Sequence, residues 1–147
     1  MQNIDFTIMK KYNLIFKGYW RDINRAGLPN ISGIYLVYKC VYNKKTNTVK
    51  LLDLIYIGQA ENIHDCISQD EKQNIFLKEC KDGETLCYSA AEVEKEDLDI
   101  VKNALIFAQQ PKLNKIYEDK FNYRAAEFHL EGRCKLMKHL DFTIDRQ

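Results

Sequence analysis

At 147 residues, with 46% hydrophobic and 29% charged side chains, the chain is long enough to bury a self-sufficient core. A net charge of +1 excludes a uniformly basic surface; no apolar run approaches the roughly 18 residues needed to span a bilayer, and the first residues lack the basic, apolar and small-residue order of a signal peptide. The expectation is one domain over residues 1–147, cytoplasmic, with no membrane partner.

In chain order, residues 1–30 give one weak signal, a strand at Tyr12 to Tyr19. From Ile31 to Tyr42, Ile34, Leu36, Tyr38 and Cys40 alternate with Tyr35, Val37 and Lys39, the β-branched and aromatic mix of a central strand. Polar residues Asn43 to Asn47 then turn the chain into Val49 to Gly58, where Leu52, Leu54, Tyr56 and Gly58 alternate with Leu51, Asp53, Ile55 and Ile57. This is a long β-hairpin. Glu61 to Ile67 places Ile63, Cys66 and Ile67 at helical spacing, with acids near its start where the helix dipole favours them. Gln73 to Cys80 predicts a second short helix, Thr85 to Val93 a third strand, and Glu94 to Gln110 the longest helix, with Leu98, Val101, Leu105 and Ala108 on one face and Pro111 as its stop. Phe128 to Leu130 and Leu140 to Ile144 read as edge strands separated by Gly132.

The small net charge hides a division along the chain. Residues 1–60 carry nine Lys/Arg against three Asp/Glu, residues 61–100 four against twelve, and residues 101–147 nine against six. A nucleic-acid partner would therefore be met by the basic terminal regions, because the acidic middle repels phosphate. Five widely spaced cysteines, Cys40, Cys66, Cys80, Cys87 and Cys134, contain no C-x-x-C pair and are expected to be free, mostly buried thiols.

Gly33-Ile34-Tyr35 and Tyr56-Ile57-Gly58 lie one on each arm of the hairpin, and Pro111-x-Leu113-Asn114 follows the long helix. Together with the order of elements, these motifs resemble the GIY-YIG nuclease domain over about residues 31–114. The resemblance implies an α+β fold with a small central antiparallel sheet flanked by helices, the segments 1–30 and 115–147 being extensions packed on that core. It also implies roles: Tyr35 and Tyr56 help to activate or orient the nucleophile, and Asn114 matches the asparagine that ends the motif. These are the retained catalytic positions of the family, with Gly33 and Gly58 as the motif glycines.

Three other family positions are altered. The arginine that steadies phosphate is expected eight residues after Gly58, where this chain has Cys66, a side chain unable to make a bidentate phosphate contact. A histidine of related members corresponds to Asp70. The metal-binding glutamate falls nine residues before Pro111, at Lys102, which has three donors and no acceptor and cannot ligate a cation. Asp99 lies one turn earlier, displaced by about 4.5 Å, and His64 lies on a different side of its helix from Cys66; neither replaces the missing groups.

The favoured reading is a domain that has lost phosphodiester cleavage and serves as a binding or regulatory module, with no cofactor. Lys102 then either offers its ammonium to phosphate or pairs with Asp70 or Asp99. Exposed aromatics such as Tyr19 and Trp20 would suit a protein partner. One alternative is an active endonuclease with relocated Mg or Mn ligands. Another is an inhibitory partner of an active relative.

Overall fold

The computed structural model describes residues 9–114, 121 and 123–145, so the remaining parts of the two terminal extensions lie outside the described residues. The chain is mixed α+β, built on a six-stranded sheet. The strands are β1 (Lys10–Arg21), β2 (Gly33–Asn43), β3 (Thr48–Ala60), β4 (Thr85–Glu92), β5 (Ala126–Gly132) and β6 (Asp141–Ile144). The helices are α1 (Ile63–Ile67), α2 (Asp70–Leu77) and α3 (Leu98–Gln109), with short 3-10 turns at Asp22–Gly27 and Lys95–Asp97.

Across the sheet the order is β3-β2-β4-β1-β5-β6. The small antiparallel sheet expected from the sequence is thus enlarged and made mixed, because β1 lies antiparallel to β4 and parallel to β5. Lys10 to Phe16 pair with Ala126 to Gly132, whereas Lys17 to Arg21 pair with Ala90 to Cys87, and the register shifts between Gly18 and Trp20. Gly18 stands at the change of partner with φ +150°, a backbone conformation that L side chains rarely adopt. Phe128 to Leu130, expected at an edge, belong to an interior strand flanked by β1 and β6.

Burial separates the two faces of the sheet. Ile34, Leu36, Tyr38, Cys40 and Ile57 join Tyr12, Leu14 and Phe16 of β1 in a core roofed by Leu98, Val101, Ala104, Leu105 and Ile106 of α3. Tyr35, Val37, Tyr88 and Ala90 face the other way, into a smaller cluster closed by Leu28, by Ile63 and Ile67 of α1, and by Phe76 of α2. Every residue of β2 from Gly33 to Tyr38 is buried, as a strand covered on both faces requires.

The alternation expected for β3 breaks at two bulges. Val37 pairs with Tyr56 but Tyr38 with Leu54, and Lys39 pairs with Asp53 but Cys40 with Leu51, so Ile55 and Leu52 are inserted residues. Tyr56 and Gly58 therefore share the face of Tyr35, while Leu54 and Leu51 turn to the α3 side. Among the described residues no helix is long and apolar enough to cross a membrane, and all five cysteines are free, with Cys40, Cys87 and Cys134 buried.

Candidate functional site

The hairpin register sets Tyr35 directly opposite Gly58, and the tyrosine ring lies across the glycine. A β-carbon on Gly58 would fall 2.2 Å from Tyr35 Cζ and 2.4 Å from its hydroxyl oxygen, so a side chain there is incompatible with the ring. Gly33 meets a similar restriction from β4, where an added β-carbon would fall 2.0 Å from the Ala91 carbonyl oxygen. Both motif glycines thus allow a close approach that any larger residue would block.

The Tyr35 side chain is only 1% exposed. Burial, reinforced by Cys66 and Tyr56, holds its phenol well above the usual tyrosine range, so the hydroxyl stays protonated at neutral pH. The Cys66 thiol sits 3.8 Å from that hydroxyl and is placed to donate to it. The half-buried Tyr56 ring is tilted at 6.1 Å from Tyr35 and at 5.2 Å from Phe76 of α2. The short helix carrying Cys66 is held by Asn62, whose side chain accepts from the Asp65 amide at 3.0 Å, and by backbone bonds from Ile63 and His64 to the carbonyls of Ile31 and Pro29. The sequence-predicted residues Tyr35, Tyr56, Gly58 and Cys66 are therefore brought together.

Asn114 serves this group from behind. Its Oδ1 accepts from the Ile57 amide and its Nδ2 donates to the Ile57 carbonyl, both at 2.9 Å, while the Leu113 amide donates to the Ile55 carbonyl at 2.9 Å. β3 is an edge strand, and Asn114 satisfies outward-facing backbone groups as a neighbouring strand would. Its amide is committed to positioning the strand that carries Tyr56 and Gly58.

The other altered positions lie elsewhere. Lys102, half-buried, rides on α3, whose apolar residues pack on the sheet face opposite Tyr35, and it makes no hydrogen bond or ion pair with a described residue. The pairings considered for it are taken by others: Asp99 accepts from Gln59 Nε2 at 3.0 Å, and Asp70 is bound by Arg25 Nη2 at 3.1 Å. A divalent cation does not fit the Lys102 position, because that side chain offers three N–H donors and no oxygen. Among the described residues no group of three or more His, Cys, Asp or Glu is gathered as a metal requires.

Arg25 was not singled out by the sequence. It belongs to the 3-10 turn at Asp22–Gly27 together with Asp22, which accepts from Tyr88 Oη at 2.7 Å and Gln73 Nε2 at 2.6 Å and lies 3.6 Å from Arg25 Nη1. Burial, followed by the Asp22 carboxylate, raises the Tyr88 phenol above its ordinary range. These partners come from separate elements, so no local spacing announces them.

Comparison of the chain with protein-family models, curated proteins and solved structures returned no match.

Proposed function

We propose that this chain is a GIY-YIG-like domain that has lost phosphodiester cleavage and acts as a binding or regulatory module. The observation that carries this reading is the environment of Tyr35: the buried, protonated hydroxyl faces the thiol of Cys66, where the family resemblance calls for an arginine. Cleavage needs a base for water and positive charge over the developing phosphorane. A phenol held above its usual range is a poor base at neutral pH, and a thiol donates only one weak hydrogen bond. Lys102 at the metal position offers no ligand, and loss of one preorganised donor alone costs about 10² to 10³ in rate. The acidic stretch over residues 61–99 favours a protein partner over duplex DNA.

Titration calorimetry with magnesium and manganese, paired with a cleavage assay on duplex, branched and single-stranded DNA, tests the proposal. The native protein is expected to show neither binding nor cutting. Cutting by the native protein would overturn the reading and make it an enzyme with ligands elsewhere in the chain.

A further inference from the structure

A groove of about 450 Å³ opens between the C-terminal end of α3 and the edge strand β6, lined by Phe107, Gln110, Lys138, His139, Phe142 and Ile144 among others. Phe142 and Ile144 belong to the α3 side of the sheet, so the groove lies on the side opposite Tyr35. What it binds is independent of whether the chain cleaves nucleic acid. A strand edge, an apolar wall and a cation meet there.

β6 pairs with β5 and ends the sheet. On its other side, alternate backbone N–H and C=O groups of residues 141–144 face outward, and no described residue outside β5 bonds to them. The opposite edge, β3, differs, because Leu113 and Asn114 close part of it. The walls of the groove are fixed. The Phe142 ring stacks on Phe128 at 5.0 Å, and Phe128 stacks on Tyr12 at the same distance. Buried Gln109 accepts from the amides of Lys138 and His139 at 2.6 and 3.0 Å and donates to the His139 carbonyl at 2.6 Å. Just before them, Leu136 sits in the left-handed region at φ 67°, a conformation that a leucine keeps only where its surroundings impose it. The Lys138 side chain is exposed and makes no ion pair with a described residue. None of the lining residues carries a carboxylate, and Asp141 of β6 is turned to the other sheet face, against His129.

A free edge selects an extended backbone, an apolar wall an apolar side chain, and an ammonium beside it an acidic one. We propose that this groove binds an extended acidic peptide segment of a partner protein as an added strand on β6, with an apolar side chain against Phe107 and Phe142 and a carboxylate at Lys138. A nucleic-acid strand would use the lysine but leave the strand edge unpaired.

Two-dimensional NMR tests the site, with a blocked heptapeptide of alternating valine and threonine carrying a central leucine and one glutamate as probe. Amide signals of residues 107–110 and 138–144 should shift saturably. N-methylation of one alternate set of peptide amides should weaken binding about tenfold or more, and of the other set should not, because only one set faces β6. Replacing the glutamate by lysine should weaken binding about two- to fivefold. Lys138→Glu, which leaves the backbone bonds to Gln109 in place, should reverse that preference. Absence of saturable shifts with either peptide would overturn the proposal, as would equal binding of the two N-methylated forms or a charge preference unchanged in Lys138→Glu. A thymidine oligonucleotide that shifts the same residues and displaces the acidic peptide would overturn it in favour of nucleic acid.

Discussion

Gly58 has a measurable structural role because the Tyr35 ring occupies the space a side chain would need. Gly58→Ala is expected to lower stability by about 1–3 kcal/mol, the usual cost of forcing an atom into a packed interior. Urea denaturation would show it, and the loss should shrink in a Tyr35→Ala background, because the two positions share one contact. Equal losses in both backgrounds would locate the strain in the backbone instead. Asn114→Ala should cost about 2–4 kcal/mol, since it strips both partners from the Ile57 backbone; Asn114→Asp, which keeps the acceptor and loses the donor, should recover part of that in the same assay. The convergence of Tyr35, Tyr56, Gly58 and Cys66 was legible, because strand pairing and a short helix tie these positions to fixed spacings. The work of Asn114 was less so: spacing marked the residue, but nothing in the sequence states that its amide closes an open strand edge.

At the level of elements, most strands and helices fall where hydrophobic periodicity puts them, and the departures have local causes. α2 begins at Asp70 rather than Gln73, with Asp70 and Glu71 in its first turn where the dipole favours acids, and it ends at Leu77. α3 buries Ala104, Ile106 and Gln109 beside the expected Leu98, Val101 and Leu105, leaving Ala108 half-exposed. Gln109 is buried at no polar cost, because its Oε1 accepts from the amides of Lys138 and His139 and its Nε2 donates to the His139 carbonyl. The bulges in β3 were hidden because the apolar residues of its core-facing half run nearly continuously, and a period of two does not reveal a skipped residue.

The β5–β6 pair should respond to pH. His129 lies opposite Asp141 in the register and contacts both that carboxylate and Glu131, which together raise the imidazole above its ordinary value, the Asp141 bond most strongly. A raised folded-state value means that this contribution is complete below the unfolded histidine pKa of roughly 6.5 and fades as pH rises through the folded one. The melting temperature of the native protein should therefore fall relative to His129→Gln as pH increases from about 6 to 8. Parallel pH profiles for the two proteins would assign no role to the histidine.

For the whole molecule, the widest gap between sequence and structure lies at the termini. Tyr12, Leu14 and Phe16 alternate clearly with exposed Lys11, Asn13 and Ile15, yet no local pattern says that this strand's partners begin at Ala126 and Ala90. Pairing over such separations is decided by the packed core. Removal of residues 1–21 should leave β4 with an unpaired side and β5–β6 detached from the sheet, so the shortened protein is expected to lose its cooperative thermal transition by circular dichroism. A sharp transition at the native midpoint would show that the rest of the sheet closes without β1.

β1 also governs the order in which the chain can assemble. It is made before the other described strands, but its partner β5 follows more than a hundred residues later, so the parallel pair cannot close until residues 126–132 have been made. The hairpin of β2 and β3, with its local turn, can form while β1 waits. During that interval the apolar stripe of Tyr12, Leu14 and Phe16 is exposed on an unpaired strand, the kind of surface that chaperones shield. The lysines at positions 10, 11 and 17 flank this stripe and discourage it from adding to a neighbouring chain until β5 arrives.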